Sequence, residues 1–194
     1  TQGHLVLAGM HTGSSITAAA RLHTGGSEPF LLVTALRAAI GQRLVRVLCP
    51  DCRVRVSLTD TQRKELEQSF GIATPAARKR VHELESAAAP VIFGDVKQLS
   101  STPQRITSIW EPSSTGCDTC EHSGYQGRTA ITEVLQSTPR VQKLLLSHDI
   151  VPAAELQAAA VKDGFIPMAL DGLIKALRGQ TTVAEVLRSA HTPA

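Results

Sequence analysis

All four cysteines of the chain fall into two C-x-x-C pairs, Cys49-Pro50-Asp51-Cys52 and Cys117-Asp118-Thr119-Cys120. Two tight loops that each offer a pair of thiolates suit one tetrahedral metal ion, and zinc is the ion this donor set favours. Gly or Pro stands beside each pair, which lets backbone N–H groups turn towards the sulfurs. The span between the pairs is long for a zinc ribbon and reads as an inserted segment. Two disulfides, or a thioredoxin-like redox centre, are the alternatives. A cytoplasmic chain disfavours the first, and the second expects a single C-x-x-C on a strand-to-helix turn. Four protein ligands leave no open position for water or substrate, so a zinc held this way would organise structure rather than catalyse. His122, beside Cys120, could replace a cysteine, but four thiolates already complete the shell; it is expected to face solvent or to support a ligand.

His4 and His11 are the second group of interest. They flank the apolar run Leu5–Ala8, and His11 falls where a parallel strand would end and its loop begin. Loops at the carboxyl ends of strands are where open α/β sheets bind ligands, so His11 is a candidate for touching a phosphate or a water. The competing reading is a loop histidine hydrogen-bonded to backbone. No G-x-x-x-x-G-K-[ST] occurs, and no glycine precedes a lysine. Phosphate cradling by such a loop is therefore outside this chain's means, and the chain alone is expected neither to bind ATP tightly nor to hydrolyse it.

The elements that must position these residues follow from the pattern. Leu5–Ala8 reads as a buried strand, 11–15 as a loop and Ile16–Leu22 as a helix. The stretch Phe30–Val47 has nearly helical spacing with a break near Gly41. Thr59 and Gln62 match a capping box ahead of a helix through Leu66 and Phe70, and Thr74-Pro75 opens another helix to about Ser86. Short strands are expected at Val91–Phe93 and Arg105–Trp110, and a longer one at Arg128–Leu135. Pro152 opens a helix over Ala153–Lys162 closed by Gly164, a further helix through Leu173 and Leu177 stops at Gly179, and Thr182 with Glu185 forms a last capping box.

The 194 residues are 42% hydrophobic but only 3% aromatic, so the core must be built from Ala, Leu, Val and Ile, which suits helices and parallel strands. The net charge of +3 is mild, and the run Arg78-Lys79-Arg80 is followed by Glu83 and Glu85, as on a solvated helix face. With few aromatics for base stacking, no nucleic-acid partner is expected. No apolar run approaches the length of a membrane span, and the compartment read from this is cytoplasmic. The chain starts inside an apparent strand without an initiator Met, as a piece of a longer protein would.

The blocks Gly3-His4-Leu5-Val6-Leu7, Met10-His11-Thr12, Glu28-Pro29-Phe30-Leu31, Gln42-Arg43-Leu44-Val45-Arg46, the two cysteine pairs, Ser123-Gly124-Tyr125-Gln126-Gly127-Arg128-Thr129, Glu133-Val134-Leu135 and Gly179–Val186 occur in one order along nearly the whole chain. In this the chain resembles the ATPases that power type II secretion and assemble type IV pili. The resemblance implies an α/β fold: the end of a RecA-like ATPase domain over 1–48, a tetracysteine zinc subdomain with a long insertion over 49–127, and a strand with a small helical bundle over 128–194. It implies that His4 and His11 belong to a histidine box beside the nucleotide's terminal phosphate. It further implies ATP and Mg2+ as ligands of the full-length protein, a homohexamer, and inner-membrane secretion or pilus platform proteins as partners at the cytoplasmic face. The family usually continues its histidine box with Asn and Asp, where this chain has Gly13 and Ser14. A stand-alone zinc module that scaffolds other molecules is the alternative from a different class.

Overall fold

The computed structural model describes residues 3–88 and 99–190. Among them helices and strands are mixed, and the chain divides into two compact units. Unit 1 takes Thr1–Gln42 and Thr132–Met168, whereas unit 2 takes Arg43–Ile131 and Ala169–His191. This grouping interleaves the chain.

In unit 1, α1 (Ser15–Thr24) starts where Ser14 accepts the Thr17 N–H on its hydroxyl at 3.0 Å, filling the N-cap role that Ser favours. Pro29 opens α2 (Pro29–Ala35), and Pro139 opens α5 (Pro139–Leu145) behind the capping hydroxyl of Thr138. α6 (Ala153–Lys162) matches the bounds read from its Pro and Gly punctuation. α1 packs on α2 and α6, and α5 on α2 and α6. Their shared core is aliphatic apart from Phe165: Ile16, Ala19, Leu135, Val141, Leu145, Val151, Leu156 and Ala160 lie within it.

Two expectations for this region fail. The run Leu5–Ala8 forms no strand; Leu5, Val6 and Leu7 are 84%, 78% and 89% exposed. An apolar run becomes a strand only where another strand accepts from its N–H groups and donates to its C=O groups, and none among the described residues does so. The helix expected over Phe30–Val47 ends at Ala35, and Ala38–Leu48 is the strand β1. Gly41, Val45 and Val47 are buried between exposed Ile40, Gln42, Leu44 and Arg46, an alternation that the β-branched residues favour. β1 pairs with β4 (Tyr125–Gln136), the long strand anticipated at Arg128–Leu135.

Unit 2 holds the segment between the cysteine pairs. β2 (Val54–Ser57) and β3 (Ser108–Glu111) form an antiparallel ladder with Val54 opposite Glu111 and Ser57 opposite Ser108. Antiparallel pairing here departs from the parallel strands suggested by composition. α3 (Asp60–Ser69) carries the anticipated capping box: Gln62 N–H donates to the Thr59 hydroxyl at 3.3 Å and Thr59 N–H to Gln62 Oε1 at 3.0 Å. α4 (Pro75–Ala87) follows its Thr74 cap. α7 (Met168–Leu177) and α8 (Val183–Ala190) follow towards the end of the described residues. Leu66, Ile72, Val81 and Ile106 form one core with Leu173, Ile174 and Leu177. The strand expected at Val91–Phe93 lies outside the described residues.

Candidate functional site

The first C-x-x-C follows directly from β1. Leu48 N–H donates to Gln180 O at 2.9 Å and Cys49 N–H to Gly124 O at 3.0 Å, while Arg53 N–H closes the turn on Cys49 O at 3.1 Å. The second pair forms a single 3-10 turn over Asp118–Cys120. Cys120 N–H and His122 N–H both donate to Cys117 O, and Ser123 N–H to Cys120 O. Such a turn is too tight for a side chain at its edges. At Gly116 (φ +64°) an added Cβ would stand 2.5 Å from His122 backbone atoms, and at Gly124 (φ +73°) it would stand 2.5 Å from Pro112 Cβ.

These two turns bring all four sulfurs together, within 4.8 Å of one another. Cys49–Cys117, Cys52–Cys120 and Cys117–Cys120 are each 3.7 Å apart, sulfur to sulfur. Four thiolates at about 2.3 Å from a tetrahedral zinc would stand about 3.8 Å apart, so the cluster has the size of that shell. The same separations exclude a sulfur–sulfur bond, which is about 2.05 Å long, and all four cysteines are free. Backbone donors reach one sulfur in particular: Gly124 N–H at 3.2 Å and Cys117 N–H at 3.4 Å both point to Cys120 Sγ.

The acid–base chemistry of the thiols fits a cation. Burial opposes the thiolate of Cys120, but the N–H groups of Cys117 and Gly124 outweigh it and hold its pKa down at about 6. Burial, and then the thiols of Cys117, Cys120 and Cys49, push Cys52 up to about 12. Crowded sulfurs resist ionising together until a positive ion neutralises them. With four sulfurs within 4.8 Å of one another, the cluster offers an ion a complete shell and no open position for chemistry.

His122 stays outside this shell. Its Nδ1 lies 3.0 Å from Thr115 O and its Nε2 3.4 Å from Asp118, on an exposed side chain. His122 and Glu121 both adopt left-handed backbone, at φ 60° and 50°. Non-Gly residues held there cost about 1–3 kcal/mol each, a strain that persists only where the surroundings over-determine it.

His4 and His11 lie in the exposed stretch before α1 and are not brought to the end of a strand. His11 contributes its carbonyl, which accepts from Arg21 Nη1 at 2.9 Å, leaving its imidazole exposed. Gly13 and Ser14 precede α1 directly, and the Ser14 hydroxyl is committed to capping. His23, of similar local composition, is fixed differently: its Nε2 lies 2.8 Å from Ser147 O.

Four glutamates are buried among the described residues, Glu67, Glu85, Glu133 and Glu185, and the sequence reading anticipated none of them as buried. Glu85, expected on a solvated helix face, instead accepts the Ser100 N–H at 2.7 Å. Glu185 does sit three residues after Thr182, and its N–H does donate to the Thr182 hydroxyl at 3.2 Å. Its carboxylate, however, turns to Arg46: Nη2 donates at 2.7 Å and the Arg46 N–H at 3.1 Å, and Arg188 joins at 2.9 Å. The Arg46 guanidinium, against the opposing effect of burial, holds the Glu185 pKa down at about 2. Arg46 also lies over the Tyr125 ring, 4.0 Å from its centroid. Glu133 accepts from Ser15 N–H at 2.6 Å, the Ser15 hydroxyl at 2.9 Å and Met168 N–H at 3.0 Å. An acidic residue inside a strand segment that is otherwise apolar except for Thr132, Ile131 to Leu135, was the available signal for Glu133.

A mixed helix-and-strand chain with a closed four-thiolate cluster is thus the class that fold and site define. The chain belongs to the family described as "Type II/IV secretion system protein", which matches it over residues 1–188. It is 33% identical over 186 residues to a type II secretion system protein E of Aeromonas hydrophila, covering 96% of this chain and 30% of that protein. A type IV pilus assembly ATPase, TfpB, of Acinetobacter baylyi is 32% identical over the same share of this chain and 26% of its own length. Against the type II secretion system ATPase E of Vibrio cholerae the figures are 32% identity, 96% and 29%. The chain therefore spans under a third of the length of these relatives. Among the described residues, no helix is long and apolar enough to cross a membrane.

Proposed function

We propose that this chain is the C-terminal portion of a motor ATPase that couples ATP hydrolysis to type II secretion or type IV pilus assembly. In this reading Cys49, Cys52, Cys117 and Cys120 hold one structural zinc. The observation that carries it is the family match over residues 1–188 together with a four-sulfur cluster of the right size for that ion.

ATP and Mg2+ bind in the full-length protein, whose phosphate-binding loop is supplied by sequence outside this chain. There Leu5–Ala8 gains neighbours and becomes a strand of a RecA-like sheet, which accounts for so much apolar surface on an unpaired segment. His4 and His11 then stand near the terminal phosphate, where an imidazole can donate a hydrogen bond to a phosphate oxygen or orient the attacking water. The full-length protein works as a homohexamer at the cytoplasmic face of the inner membrane, associated with it through inner-membrane platform proteins.

Steady-state ATPase rates and melting temperatures of full-length His11→Ala and His23→Ala separate a phosphate contact from a loop tie. His11→Ala is expected to lower turnover far more than stability, whereas His23→Ala loses its bond to Ser147 and lowers stability first. Equal loss of activity in both variants, or none in His11→Ala, would sink the assignment. For this chain alone, calorimetry is expected to detect no micromolar ATP binding.

A further inference from the structure

The segment between the cysteine pairs carries a cleft of about 410 Å3, a size suited to a small molecule. α3 lines it with Arg63, Lys64, Glu67 and Gln68, α4 with Arg78, and the turn before Ile106 with Arg105. Four cations and one carboxylate thus line it; Arg63 is paired with Asp60 at 2.8 Å and Arg78 with Glu67 at 3.0 Å. None of the lining residues is aromatic.

Two buried atoms of this lining make no hydrogen bond. Glu67 Oε2 accepts from Arg78 Nη1 at 3.0 Å, yet Glu67 Oε1 has no donor and Arg78 Nε no acceptor. Arg63 Nε is 4.0 Å from Glu67 Oε1, an ion pair too long to satisfy it. The Glu67 side chain is only 8% exposed, so water does not freely replace the missing partner. An unmatched buried polar atom costs about 1–3 kcal/mol, and native folds keep few of them without a use. Here a donor-hungry oxygen and an acceptor-hungry nitrogen lie on paired side chains of the same cationic cleft.

We propose that this cleft binds a small phosphorylated ligand that also carries hydroxyl groups, of the sugar-phosphate class. The phosphate engages the guanidinium of Arg105 and the ammonium of Lys64; Arg78 Nε and Glu67 Oε1, covered in the unbound chain, are uncovered as the ligand seats, and a hydroxyl then donates to Glu67 Oε1. Arginine suits a phosphate because its N–H groups match the spacing of the oxygens. Glu67 supplies the discrimination, since its carboxylate repels an anion that brings no hydroxyl beside the phosphate. Without an aromatic side chain to stack on a base, sugar and phosphate are the parts this cleft can read.

Titration of the intact chain with ribose 5-phosphate and with inorganic phosphate, followed by amide resonances, tests this. Saturable shifts are expected in α3, the first turn of α4 and residues 104–105, with ribose 5-phosphate about tenfold tighter than inorganic phosphate. Arg105→Ala and Lys64→Ala remove exposed side chains and leave the fold intact; each is expected to weaken ribose 5-phosphate about tenfold. Glu67→Gln narrows the gap between the two probes. The proposal is overturned by the absence of saturable shifts at about 10 mM ribose 5-phosphate, a concentration at which even a weak specific site fills. Unchanged affinity in Arg105→Ala, equal affinity for both probes, or binding of an acidic peptide in place of ribose 5-phosphate overturns it as well.

Discussion

Unit 1 and unit 2 are both partly aliphatic, but they anchor themselves differently. Unit 1 rests on helices packed around Leu135, Leu145 and Leu156, with one buried carboxylate among its described residues, Glu133, held by neutral N–H and O–H donors. Unit 2 has an apolar core as well, but it also gathers four thiols and a carboxylate gripped by two arginines. The difference predicts what each unit responds to. Apolar packing and neutral hydrogen bonds answer to temperature and denaturant; sulfur clusters and ion pairs answer also to metal, pH and salt.

Removing metal should break this comparison most visibly. Chelation is expected to unfold at least residues 49 to 127, because a structural zinc supplies about 10–16 kcal/mol of binding energy to its fold. Elemental analysis of the purified chain should find one zinc, and hydrogen exchange after chelation should rise in unit 2 while Leu135, Val141 and Leu156 of unit 1 keep their protection. Exchange rising equally in both units would erase the distinction, and a well-folded, metal-free chain containing two disulfides would remove zinc altogether.

Next in size is Glu185→Ala, expected to cost about 3 kcal/mol through loss of charge-assisted bonds to Arg46 and Arg188, read as a shift in urea midpoint. The pair also sets a pH window. With its pKa lowered from 4.5 to about 2, Glu185 adds stability that is fully present above the unfolded value and lost as pH falls from 4.5 towards 2. Glu185→Gln should flatten that part of the stability profile; an unchanged acid slope would show that Arg46 is not what holds the proton off.

Glu133→Gln probes unit 1 more gently. The amide keeps one acceptor but turns a donor towards either the Ser15 or the Met168 N–H, at a cost of about 1–2 kcal/mol. Smallest of all, His11→Ala should change the melting temperature of this chain by an amount equivalent to less than about 0.5 kcal/mol, because its imidazole is exposed. A large shift there would mean that the exposed segment is more firmly tied than its contacts indicate.

What could be read from the sequence was whatever its own neighbours decide. The Thr59–Gln62 box, the Thr74-Pro75 start, the Pro152 start and the spacing within each C-x-x-C are local chemistry, and the helices and turns they mark are where they were expected. Ala38–Leu48 was mistaken for helix because Leu, Arg and Ala favour helix locally, while pairing with β4 comes from residues far along the chain. Leu5–Ala8 failed in the opposite sense, an apolar run without a partner strand. α5 was overlooked although Thr138-Pro139 marks its start as plainly as Thr74-Pro75 marks α4. The partnership of Arg46 with Glu185 could not be read at all, since 139 positions separate the two.

The two sulfur knuckles have a consequence for how the chain can change over time. Cys49 and Cys117 are 68 positions apart, and bringing such distant points together costs about 4 kcal/mol of chain entropy. That cost grows only with the logarithm of length, so doubling the intervening stretch would add about 0.6 kcal/mol. A clasp that closes once tolerates almost any length between its jaws. Residues 53 to 116 are therefore the inexpensive place to lengthen this molecule, and new surface acquired there leaves the clasp itself undisturbed.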